Sequence, residues 1–138
     1  MSYLSILRAT LGAFAAYFVS GGLVASIPAI RSEFAKHPAV YRSLESMKRV
    51  MPAGMAAMLV AMLALADVYA QLYRPHFGVA EGAVFGVLMG IFAIGSFVVH
   101  NYVNLNIGPK LTIQQSAGYF FQWIVVGIVI SVIYRPSV

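Results

Sequence analysis

The chain has 138 residues, of which 61% are hydrophobic and only 9% charged, with a formal net charge of +5. A soluble domain carries about 25% charged residues and disordered chains are poor in apolar ones, so both classes are excluded. With no cysteine, disulfide scaffolds, thiolate metal sites and cysteine nucleophiles are excluded as well. What remains is an integral membrane protein. Its positive charge is a matter of topology rather than nucleic-acid binding, because a nucleic-acid reader needs a soluble basic face.

Four apolar runs, at 4–27, 52–73, 82–105 and 112–134, are long enough to cross a hydrocarbon core, which takes about 20 helical residues. They predict an all-α bundle of four transmembrane helices in a single domain, 1–138. A membrane barrel would instead show ~10-residue alternating segments. Pro28, Pro38, Pro52, Pro75, Pro109 and Pro136 fall at or beyond the run ends, where a missing N–H costs least. The first run carries Arg8 and the small residues around Val24-Ala25-Ser26, as a secretory signal would. Its apolar length exceeds a signal core of about 7–15 residues, so it reads as a permanent span.

In the polar connection 31–50, Phe34, Tyr41, Leu44 and Met47 recur at helical spacing among Lys36, Arg42, Glu45, Lys48 and Arg49. This predicts an amphipathic helix lying on the membrane surface. Arg31, Lys36, Arg42, Lys48, Arg49 and Lys110 lie on one side, and Arg8, Arg74 and Arg135 on the other. The excess places the first side in the cytoplasm and both termini outside. Gly108-Pro109 makes a turn, and Thr112 with Gln115 has capping-box spacing. Spans three and four therefore pack as an antiparallel hairpin.

Each span carries an arc of small or polar residues at 100° per residue. The arcs are Arg8, Gly12, Ala15, Val19, Gly22 and Ser26 on the first span, and Ala53, Ala56, Val60, Ala64, Asp67 and Gln71 on the second. The third holds Gly82, Gly86, Gly90, Ala93 and Phe97 before His100, Asn101 and Asn104, and the fourth holds Gln115, Tyr119, Gln122 and Val126. Such arcs serve close helix packing with polar glue, or line a ligand cavity. In the hairpin, Asn104 is expected near Gln115, and His100 near Gly118 or Tyr119. These residues, with Asn101 and Gln122, form a candidate polar cluster for packing or for binding a ligand. Arg8 and Asp67 fall at similar depth on their arcs and form a candidate intramembrane ion pair.

No cofactor or metal is expected. His37, His76 and His100 lie at unmatched levels for a bis-histidine haem. Neither H-x-x-x-H nor E-x-x-H occurs, nor G-x-S-x-G, nor a phosphate loop.

The Gly82-x-x-x-Gly86-x-x-x-Gly90 stripe, His100-Asn101-Tyr102 and the Gln122-Trp123 span ending in Tyr134-Arg135 carry a resemblance. Over nearly its whole length the chain resembles small bacterial four-span inner-membrane families known only as domains of unknown function. That resemblance implies location and helix number, and no activity. In size and architecture the chain also resembles the small multidrug transporter family. The glutamate which that family carries inside its first helix has no counterpart, since the first span lacks an acid and Asp67 lies in the second.

The expected function is non-enzymatic: an accessory or scaffolding subunit in the lipid bilayer, self-associated or joined to a membrane-protein partner. The alternative is a small carrier or lipid- or quinone-binding protein using the polar face of spans three and four. Orientation is tested by single cysteines, Ser43→Cys and Ser137→Cys, with an impermeant thiol label on intact cells. Label on Ser137→Cys alone is expected, and label on Ser43→Cys alone reverses the topology.

Overall fold

A computed structural model describes residues 3–73 and 78–134. In chain order its elements are α1 (Tyr3–Ser26), α2 (Pro28–Ala35), α3 (Leu44–Leu72), α4 (Gly78–Ala93), a π-helical stretch (Ile94–Val99), α5 (His100–Asn104) and α6 (Pro109–Ile133). The fold is all-α, with no strand among the described residues. Because α4, the π-helical stretch and α5 form one rod, four helices have the length and hydropathy of membrane spans: Tyr3–Ser26, Leu44–Leu72, Gly78–Asn104 and Pro109–Ile133. The chain is a multi-pass membrane protein. In hydrocarbon each helix must satisfy its own polar groups, and the hydroxyls follow suit. Thr10 donates to the Ile6 carbonyl, Ser20 to Ala16, Ser96 to Phe92 and Ser131 to Ile128.

The most extensive packing is between α4 and α6, with α6 also packed along α1 and α3 along α1. Without a hydrophobic drive between helices in lipid, close packing has to hold them together. Gly82, Gly86 and Gly90 on α4 and Gly127 on α6 provide it. A Cβ on Gly86 would lie 2.5 Å from the Trp123 carbonyl oxygen and 2.7 Å from the Ile124 Cα, and one on Gly127 would lie 2.6 Å from the Gly86 nitrogen. These are backbone-to-backbone approaches that no side-chain rotation relieves. On the other side of α6, Gly118 meets Val24 of α1, and Gly12 of α1 meets Ile133 and Val129. Helix α6 is thus the central element, antiparallel to both neighbours.

Helix α3 presents Met62, Ala66, Tyr69 and Ala70 to the core formed with Ile6, Ala9, Ala13, Phe85, Val126 and Ile130. Its last turns are fixed by aromatic contacts, Tyr69 with Phe85 at 5.2 Å and Tyr73 with Tyr134 at 5.3 Å between ring centroids.

Three local expectations are corrected. The connection 31–50 is not one surface helix. Ile27 takes the extended backbone usual before proline, Pro28 opens α2, and Ser43 caps α3 by accepting from the Ser46 N–H. Pro52 does not begin the second span but lies inside α3. The carbonyl it leaves without a helical N–H belongs to Lys48, an exposed residue at the polar end of the helix, where losing that bond costs least. Finally, Thr112 does not cap α6. Pro109 starts that helix and the Thr112 hydroxyl donates back to the Gly108 carbonyl at 3.2 Å.

Gly86→Ala and Gly127→Ala are each expected to destabilise the bundle by about 1–3 kcal/mol, the usual cost of overpacking. Gly95→Ala, whose added methyl meets nothing within 4 Å, is expected to be neutral or slightly stabilising. Thermal unfolding in detergent, followed by circular dichroism, measures the difference.

Candidate functional site

The predicted polar cluster is divided between two surfaces, and the cause is the π-helical stretch. Along α4 the buried positions are Gly82, Gly86, Gly90 and Ala93 of the predicted arc, together with Phe85. The next buried position is Val98, five residues on rather than three or four. A wider turn of this kind shifts the phase of everything after it. Phe97, His100 and Asn104, which continue the arc on a regular helix, are therefore exposed, and Asn101 is half-buried. The Asn104 amide donates to the His100 carbonyl at 2.9 Å, within its own short helix.

The α6 part of the cluster faces the other way. Gln115, Tyr119 and Gln122 share one face, as their spacing predicts, but that face meets α1 and the connector after α2. The Gln122 amide donates to the Tyr17 carbonyl at 2.6 Å, with Gly21 leaving room for it. The Tyr119 and Tyr17 side chains lie against each other. The Gln115 amide donates to the Tyr41 hydroxyl at 3.1 Å. Asn104 and Gln115 are thus not partners, and Gly118 faces Val24 rather than His100. Beside this ladder, the Trp123 ring lies tilted at 59° to that of Tyr17, 5.6 Å between centroids. The Trp123 indole N–H and the Gln114 amide oxygen are buried without a hydrogen-bond partner among the described residues.

Arg8 and Asp67 form no ion pair. Asp67 accepts from Gln71 of its own helix at 2.7 Å, and Arg8 is exposed. Apart from Gly12, the small-residue arcs on which both stand are not the packed faces. Helix α1 buries Ser5, Ile6, Ala9, Thr10, Ala13 and Ser20, and α3 buries Met62, Ala66, Tyr69 and Ala70.

Helix α2 and the turn after it fold over the ends of α1 and α6 instead of lying free. Phe34 and Tyr41 pack edge-on at 4.8 Å between ring centroids. Glu33, buried to 9% side-chain exposure, accepts from Lys36 at 2.9 Å and from Lys110 of α6 at 3.1 Å. Hydrogen bonds from Lys36 and then Lys110 hold its carboxyl below the usual carboxylate range, against the desolvation that raises it. Sequence reasoning passed over Glu33, Tyr17 and the long-range role of Tyr41. The only signal was Glu33 standing three residues before Lys36, a spacing that marks a local pair and not the second bond to Lys110.

A group with a lowered carboxyl pKa stabilises the fold fully above its unfolded value, and that stabilisation is lost as pH falls through the folded value. Glu33→Gln is therefore expected to lower the melting temperature at pH 7. The gap from the wild type should stay constant down to about pH 5, above the ordinary glutamate pKa of about 4.3. It should then close at lower pH. A gap that persists unchanged at acid pH would assign the loss to packing.

Comparison with known protein families, curated proteins and solved structures finds no match.

Proposed function

We propose that this chain is a non-enzymatic accessory subunit of a bacterial inner membrane, with both termini outside, that docks an apolar helix of a partner membrane protein along the first half of α3. One observation carries the reading. Residues 50–61 of α3 are exposed around the whole circumference of the helix, with only Met58 half-buried, whereas the second half of α3 is packed into the core. The free half is built from Met51, Met55 and Met58 interleaved with Ala53, Gly54, Ala56, Ala57 and Ala61. Small residues let a second backbone approach closely, and methionine adapts its shape to an irregular partner surface.

A carrier that uses the polar face of spans three and four receives less support. His100 and Asn104 turn outward, while the Gln115, Tyr119 and Gln122 side chains are engaged with Tyr41 and α1. The same engagement favours a structural role for these side chains over a catalytic one.

A photoreactive amino acid at Met55, in native membranes, tests the reading against the same probe at Phe92, an exposed residue of α4. A discrete heterologous protein adduct from Met55 and only lipid adducts from Phe92 are expected. Lipid adducts alone from both positions overturn the proposal. So does an adduct of twice the chain's mass, which makes the partner a second copy.

A further inference from the structure

The end of the bundle that carries the α1–α3 connection holds a charge imbalance with a definite location. Lys36 and Lys110 are both engaged by Glu33, and Arg49 pairs with Glu45 at 2.9 Å. Arg31, Arg42 and Lys48 have no carboxylate partner among the described residues. Arg42 does have a neutral contact, donating to the Ser46 hydroxyl at 3.3 Å.

Arg31 and Arg42 line the same cavity, an open groove of about 780 Å³ between the end of α1, α2 and the start of α3. The rest of its lining is largely apolar. Ala25 and Gly22 form a floor on α1, and Phe34, Leu44 and Met47 form walls. A Cβ on Gly22 would meet nothing within 4 Å, so the floor is open rather than filled. Gly22 lies four residues before the end of α1 at Ser26, about 6 Å along the axis at 1.5 Å per residue. The groove therefore begins at the level of the membrane surface and descends towards the hydrocarbon. The one buried carboxylate nearby, Glu33, is held by two lysines and does not oppose an incoming anion.

We infer that this groove binds one anionic phospholipid, its phosphate held by the Arg31 and Arg42 guanidinium groups and its upper acyl chains lying against α1, Phe34 and Met47. Guanidinium forks match phosphate oxygens in geometry as well as charge. The apolar walls select a ligand that carries hydrocarbon directly beneath its phosphate. A free phosphate uses the arginines and leaves those walls in water, so the source of the anion is the lipid. The site does not depend on the partner proposed for α3 and is tested on the purified chain alone.

The test is native mass spectrometry of the detergent-solubilised protein after incubation with equimolar phosphatidylglycerol and phosphatidylcholine of identical chains. Retention of one phosphatidylglycerol is expected, with a preference of roughly tenfold or more, the scale of two cationic side chains at an anionic surface. Arg31→Gln/Arg42→Gln is expected to abolish the preference. Lys48→Gln/Arg49→Gln removes the same formal charge outside the groove and is expected to keep it. Gly22→Leu fills the floor without touching a charge and is expected to lower retention of the bound lipid. Equal loss in the two charge variants overturns the site in favour of diffuse surface electrostatics. Full retention in Gly22→Leu overturns the acyl-chain contact, and displacement by excess inorganic phosphate or glycerol phosphate overturns the choice of a lipid.

Discussion

The close approach of α4 to α6 sets the frame for the rest of the molecule. In lipid, helices gain nothing by hiding apolar surface from each other, so contact depends on how near the backbones come. Gly82, Gly86 and Gly127 bring them near enough that a methyl at any of these positions meets main-chain atoms. With one side of α6 committed to α4, the Gln115, Tyr119 and Gln122 face is left to α1 and the connector. The Gln115 and Gln122 amides then reach across to the Tyr41 hydroxyl and the Tyr17 carbonyl instead.

The π-helical stretch decides what the hairpin does not do. A regular helix continuing from Ala93 turns His100 and Asn104 towards α6 and builds a polar pocket between the two spans. The extra residue in the turn between Ala93 and Val98 rotates them outward. These two side chains thus sit at the lipid or headgroup boundary as local helix-end groups, and the interior of the hairpin stays glycine- and aromatic-rich.

Much of this architecture was legible in the sequence because hydropathy and helical period report directly on it. The four spans, the tight hairpin and the packed Gly82, Gly86 and Gly90 stripe all follow from those two signals, as does the common face of Gln115, Tyr119 and Gln122. A period names a face but not the neighbour opposite it, which is why the partners were misassigned. Small-residue arcs on α1 and α3 suggested buried faces for Arg8 and Asp67. In lipid, however, small residues can also face outward, and the packed faces are those of Ala9 and Ala13, and of Met62 and Ala66. The π-helical stretch leaves no mark in composition. The Glu33 bond to Lys110 spans distant parts of the chain, and only the folded connector brings the two together.

Helix α3 has a mechanical character that follows from how it is held. It runs 29 residues, about 44 Å at 1.5 Å per residue, against a hydrocarbon thickness of about 30 Å. Its grip on the other helices runs from Met62 to the Tyr69 and Tyr73 end, and residues 50–57 before it are exposed. It is an outrigger, anchored over its second half beside the packed slab of the other three spans. A tilt of about 5° of the part before Met62 carries Leu44 through roughly 2 Å, since some 18 residues of helix form the lever.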